Sequence, residues 1–135
     1  MRSQVSVQGH QWGVLDTPFA LRHANYYTRI LAADCFWMQH EHNNLARSML
    51  HFLSNSPTAR VLVIAGFHTG RRNMAPFLVE TVPEEGLEVE EIWEMDINGQ
   101  RREWEADKVE ESIGERKKWL VIARLKRRGC QVNGF

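Results

Sequence analysis

Four consecutive apolar residues, Ile30-Leu31-Ala32-Ala33, end on a single acid, Asp34, with Phe36 and Trp37 close behind. A second unbroken run, Val61-Leu62-Val63-Ile64-Ala65, ends on Gly66-Phe67-His68-Thr69-Gly70. Apolar runs without alternation predict strands covered on both faces. Open α/β folds bind their ligands beyond the carboxyl ends of such strands. The strand from about Thr28 to Ala33, with its acidic and aromatic edge, is therefore the expected organising element.

The segments between and after these runs have helical spacing. From about His40 to Ser54, residues Leu45, Ala46, Met49, Phe52 and Leu53 recur on one side, and Ser54-Asn55-Ser56-Pro57 stops the pattern. Met74, Phe77, Leu78, Thr81 and Val82 fall at i, i+3, i+4, i+7 and i+8, an amphipathic stripe closed by Pro83 and Gly86. Upstream, Gln4 to Val7 predicts a short strand, and Val14 to Asn25 a loop or one loose helical turn.

Past Leu87 the period changes to two. Leu87, Val89, Trp93, Met95 and Ile97 fall on one side and Glu88, Glu90, Glu94 and Asp96 on the other, with Glu91 and Ile92 breaking the rule. Asn98-Gly99 is a strong hairpin signal. Pairing around it sets Asp96 opposite Arg101 and Trp93 opposite Trp104, and it also sets Glu94 against Glu103. A charged stretch from Glu105 to Lys118 leads to a last strand, Trp119 to Leu125, and a basic end, Lys126-Arg127-Arg128. The whole order predicts one α/β domain over residues 1–135, with a mostly parallel sheet and an antiparallel C-terminal hairpin strand.

Composition narrows the function classes. Seventeen Lys and Arg balance seventeen Asp and Glu, which argues against nucleic acid or a membrane surface as main partner. No apolar segment reaches the roughly 20 residues of a membrane span. The start is polar where a signal peptide is apolar. Two cysteines without metal-like spacing, Cys35 and Cys130, fit a reducing compartment. A cytoplasmic protein is the expectation.

Several dispersed stretches resemble a known family. Gly9-His10-Gln11-Trp12-Gly13, Leu31-Ala32-Ala33-Asp34-Cys35-Phe36-Trp37, His40-Glu41-His42, Ala65-Gly66-Phe67-His68-Thr69-Gly70-Arg71 and Trp119-Leu120-Val121 are similar, in that order, to the C-terminal half of fungal nicotinamide N-methyltransferase-like proteins. These belong to the seven-strand S-adenosylmethionine enzymes. Described members resemble methyltransferases of protein N-termini and lysines, including those of translation elongation factor 1-alpha. The resemblance covers about Val5 to Arg128. It implies an incomplete Rossmann-like class I sheet lacking its first two strands, as from a truncated gene.

The resemblance also implies a site. Trp12 matches the residue beside the cofactor adenine, and Ala33 the small residue whose backbone lines the cofactor pocket. Asp34 and Trp37 match the acid and the aromatic that face the substrate amine. These residue types suit methyl transfer, an in-line displacement that needs positioning more than a strong base. A carboxylate holds the incoming amine, and aromatic faces attract cations. The Gly-rich turn of such enzymes is not in the sequence, so weak or no cofactor binding is expected of this chain alone. A partner chain completing the sheet would then be needed, because a strand built to be central is left as an apolar edge.

Plainer roles stand beside these. An acid such as Asp34 also serves simply to end a strand, and large aromatics such as Trp12 and Trp37 more often fill cores. His40 and His42, two apart on a helix, point to nearly opposite sides and do not converge on a metal. Cys35 sits in an apolar run where an inert thiol is expected. His68-Thr69-Gly70-Arg71 lines the substrate mouth or merely opens a helix. The alternative to an enzyme is a non-catalytic remnant or interaction module that docks through its exposed sheet edge.

Overall fold

A computed structural model describes residues 4–108 and 111–129. The order is α1 (Pro18–Arg22), β1 (Arg29–Ala33), a 3-10 turn (Gln39–Glu41), α2 (His42–Phe52), β2 (Arg60–Gly66), α3 (Arg71–Pro76), a π-helical turn (Phe77–Thr81), α4 (Val82–Glu84), β3 (Leu87–Asp96), β4 (Arg101–Arg102), α5 (Ile113–Arg116) and β5 (Trp119–Arg127). One five-stranded sheet has the order β1-β2-β5-β3-β4. Cys130 lies outside the described residues.

The expected mostly parallel, Rossmann-like sheet is not what forms. Only β1 and β2 are parallel, while β2–β5, β5–β3 and β3–β4 are all antiparallel. The physical reason is in the connections: only α2 provides a helical crossover, which a parallel pair requires. The chain after α4 instead returns through the hairpin and the α5 segment, so β5 enters between β2 and β3 in the opposite sense.

The helices cover one face of the sheet. Val61, Val63 and Ala65 of β2 and Val121, Ala123 and Leu125 of β5 point into a core shared with Leu45, Ala46 and Met49 of α2 and with Met74, Phe77, Leu78 and Val82. The second stripe is buried as its spacing implies, although Pro76, with no N–H to donate, stands where α3 gives way to the wider π turn. Thr17 starts α1 by accepting the Ala20 N–H at 3.1 Å, with Pro18 in the first turn.

The opposite face is wet, which overturns the expectation that β1 is covered on both sides. Leu31 is 67% exposed, its partner in register, Leu62 of β2, is exposed as well, and so is Leu120 of β5, which pairs with Gly66 further along β2. An unbroken apolar run marks a strand's preference for burial, and here only the Ile30 and Ala32 side finds it. Gln4 to Val7 is exposed and joins no sheet, so the expected short strand does not form there.

Strand β3 carries the other correction. A bulge between Val89 and Glu91 puts Glu90 and Glu91 on the wet face and shifts the alternation by one. Ile92 and Glu94 then turn toward the core, opposite Ala123 and Val121, while Trp93 pairs with Ile122 on the other face. Glu94 is thus completely buried, against its expected wet position.

The hairpin register also slips by one. Asp96 N–H donates to Gln100 O at 3.0 Å, closing a three-residue loop, Ile97-Asn98-Gly99, with Gly99 at φ +80°. Asp96 Oδ1 accepts the Asn98 and Gln100 N–H groups at 2.9 Å each. The register sets Glu94 against Arg102 in place of Glu103. A like-charge pair gives way to an ion pair. No helix among the described residues is long and apolar enough to cross a membrane.

Candidate functional site

The carboxyl ends of the one parallel pair form the most chemically loaded part of the molecule. Asp34, the residue after β1, has φ +56°, the left-handed region that few residues other than glycine occupy. Its N–H still donates to Ile64 O at 2.6 Å, so β1–β2 pairing carries through the bend. Backbone strain that persists in this way clusters at functional positions. The bend turns the carboxylate toward the end of β2, where Gly66 N–H lies 3.4 Å from Oδ1 and His68 Nε2 lies 3.9 Å from Oδ2.

Two anchors hold that bend. Phe36 is buried and stacks on Phe77 with ring centres 4.3 Å apart. The Phe36 carbonyl accepts from Nε2 of His42 at 2.7 Å, and His42 is itself buried. Burial lowers the His42 pKa, against the opposing effect of that hydrogen bond, and the ring is kept neutral. The His40-Glu41-His42 stretch therefore divides its work: His42 pins the loop from inside, and His40 stays on the surface.

Asp34 and His68 open into a hollow of ≈ 320 Å³, walled also by Ala33, Gly66, Phe67, Arg116 and Trp119. Both side chains are about half exposed, 59% and 49%. Gly66 is small for a reason: a Cβ there would stand 3.2 Å from His68 Nδ1, pressing on the ring. Cys35 points elsewhere, its Sγ 3.3 Å from Ala33 O. Burial raises its pKa and the Asp34 charge adds to that, so the thiol is a poor nucleophile.

Trp12 lies in a different cavity. It lines an apolar groove of ≈ 380 Å³ between α2 and β1, with Phe19, Tyr27, Ala32, Leu45 and Met49. Ser48 secures the segment to α2 by accepting the Gly13 N–H at 2.9 Å and bonding His10 Nε2 at 2.9 Å. Gly13 has φ +81°, and a side chain there would run into Asn44. The end of β1 separates the groove from the hollow. Of the four residues expected to form the site, Ala33 and Asp34 share the hollow, Trp12 lines the groove, and Trp37, 53% exposed, lines neither.

Three contributors gave no sequence signal as site residues. Arg116 and Lys117 reach the hollow from a stretch with no apolar period, where nothing marks one cation over another. Glu94 forms a buried network beside it, accepting from Arg71 Nη1 at 2.7 Å and from Arg102 at 2.8 Å, while Arg71 and Arg102 also bind Glu111 at 3.1 and 3.0 Å. Burial raises the Glu94 pKa, but the arginine hydrogen bonds outweigh it and the net direction is down.

Fold and site together define an α/β protein with one open, mixed sheet, helices packed on one face and an acid–histidine mouth at its parallel pair. Set against protein-family models, curated proteins and solved structures, the chain matches none of them.

Proposed function

We propose that this chain carries the amine-binding side of an S-adenosylmethionine-dependent N-methyltransferase. The substrate is a protein N-terminus or lysine, as in translation elongation factor 1-alpha, or a small amine such as nicotinamide. The observation that carries the proposal is Asp34, held in a left-handed bend with its carboxylate beside His68 in an open hollow. The carboxylate holds an ammonium by charge and hydrogen bonding. The nitrogen must lose a proton before it attacks, and His68, whose Nε2 lies 3.9 Å from Asp34 Oδ2 in the same hollow, is the adjacent imidazole that accepts it. Trp37, expected to face the amine, lies outside this hollow, and the indole that lines it is Trp119.

The bound cofactor supplies the sulfonium methyl group. Its fit to this chain is partial. The Trp12 groove gives an apolar, aromatic wall suited to adenine, but its lining, Gln8, His10, Arg29 and Ser48 included, has no carboxylate for a ribose diol. We assign the rest of the grip to a partner chain that completes the sheet along β1, in a reducing cytoplasmic setting that suits the free Cys35. Calorimetric titration with S-adenosylmethionine tests the proposal: a saturable heat that Trp12→Ala abolishes supports it.

A second reading is an interaction module without catalysis, docking through the β1 edge. It is favoured by Leu31, two-thirds exposed on a strand with one neighbour. Silence in the calorimeter together with no amine binding at the Asp34–His68 hollow supports this reading over the first.

A further inference from the structure

Next to the acid–histidine hollow, and sharing Phe67 and Arg116 with it, is a second hollow of ≈ 270 Å³ walled by Thr69, Gly70, Arg71, Arg72, Lys108 and Glu111. Among the described residues its charges do not cancel. Glu94 and Glu111 are matched by Arg71 and Arg102, which bind both of them. Arg71 has no freedom left: it is nine-tenths buried, lies over the Phe67 ring at 4.2 Å, and donates to Glu94, Glu111 and the Glu105 carbonyl. It is the floor of the hollow rather than a ligand-binding group.

Three cations remain around the opening. Lys108 sits 3.7 Å from Glu111, a carboxylate already shared by two arginines. Arg72 and Arg116 have no acid within ion-pair distance among the described residues. Asp107 is exposed in the adjoining hollow beside Arg72 and Lys108 and is the remaining acid near them among the described residues. Gathering like charges is unfavourable unless an anion joins them.

Two unsatisfied atoms refine the chemistry. Arg116 Nε, a donor, and Glu111 Oε2, an acceptor, are both shut off from solvent with no hydrogen-bond partner among the described residues. A buried group left unpaired is unfavourable, so each favours a ligand that completes it. A carboxylate or sulfate ion offers acceptors only. A hydrogen phosphate or a singly protonated phosphomonoester offers acceptor oxygens to the guanidinium and one O–H to the carboxylate, and Arg presents its donors in a fork that fits such oxygens. We propose that this hollow, walled by Arg72, Lys108, Glu111 and Arg116, is a binding site for a phosphate group carrying one proton. It is independent of the methyltransferase reading.

The test uses the whole chain and inorganic phosphate, followed by two-dimensional amide NMR at fixed pH 6.5 and fixed ionic strength. Saturable shifts of the Thr69, Gly70 and Arg72 amides are expected, with sulfate weaker by about tenfold or more, the value of one good hydrogen bond to a charged group. Arg116→Gln and, separately, the exposed Arg72→Gln should each weaken phosphate about tenfold while leaving the rest of the spectrum in place. Arg22→Gln on α1 should change nothing. O-phosphoserine and a sugar phosphate then show whether peptide or sugar phosphate is the better source. Absence of saturation, equal binding of sulfate, or unchanged affinity in both Arg72→Gln and Arg116→Gln would overturn the assignment.

Discussion

Glu94 is completely enclosed, and Arg71, from the start of α3, donates to its Oε2 at 2.7 Å. A carboxylate inside a core is tolerated only when cations meet it there, so this contact ties β3 to α3 across the helix-covered face. Arg71→Ala leaves the charge with Arg102 alone and is expected to cost about 3–5 kcal/mol, the range for breaking a buried ion pair. Urea unfolding at pH 7 measures it. Lys118→Ala, which removes an exposed pair with Glu115, is the comparison and should move stability by under about 1 kcal/mol.

Stability should fall steadily in acid. The His42 pKa is lowered from 6.5 by burial, and the Glu90 pKa is lowered to about 2 by hydrogen bonds from Arg60 and Arg124. Glu94 moves in the same direction. For each group the folded pKa lies below the unfolded one, so its contribution is complete above the unfolded value and lost as pH drops through the folded value. The urea midpoint should therefore decline first below about pH 6.5 and again below about pH 4.5 toward pH 2. Glu90→Gln should flatten the lower part of that decline and leave the upper part unchanged.

Asp34 is the sharpest test of local backbone. At φ +56° the amide-bearing Asn is nearly as tolerant as Asp, whereas a β-branched residue is strained. Asp34→Asn should change stability by under about 0.5 kcal/mol and Asp34→Val should cost about 1–2 kcal/mol. Thermal unfolding of the pair checks the difference. Equal stabilities would mean that the residue is not held in the left-handed region.

Leu31 distinguishes an open edge from a covered one. It is 67% exposed, so Leu31→Lys should alter stability by no more than about 0.5 kcal/mol. The same change should reduce concentration-dependent association, because an inserted charge blocks edge pairing. Sedimentation velocity over a range of concentrations reads that outcome.

Much of the helix-covered half was legible in the residues. The stripes of α2 and of the α3–α4 stretch are buried as their spacing implies, and both apolar runs are strands. What misled was anything one residue could invert. The bulge at Val89–Glu91 moved Glu94 from the wet face to the core, and the extra loop residue, Ile97, shifted the hairpin pairing. The irregular residues Glu91 and Ile92 and the unfavourable Glu94–Glu103 pairing were the traces of both. Strand direction was misjudged because apolar runs carry no sense of direction, and only the lengths and types of the connections do. At the site, the proximity of Asp34 and His68 follows from two strand ends lying side by side, whereas the approach of Arg116 depends on a loop without period.

The central claim is that the Asp34–His68 mouth binds an amine. The most direct measurement is an amide NMR titration of the whole chain with n-butylamine at pH 7 and constant ionic strength. The claim expects saturable shifts at Asp34, Gly66 and His68 that Asp34→Asn abolishes. Shifts that survive Asp34→Asn, or that spread evenly over surface carboxylates such as Glu88 and Glu115, would contradict it.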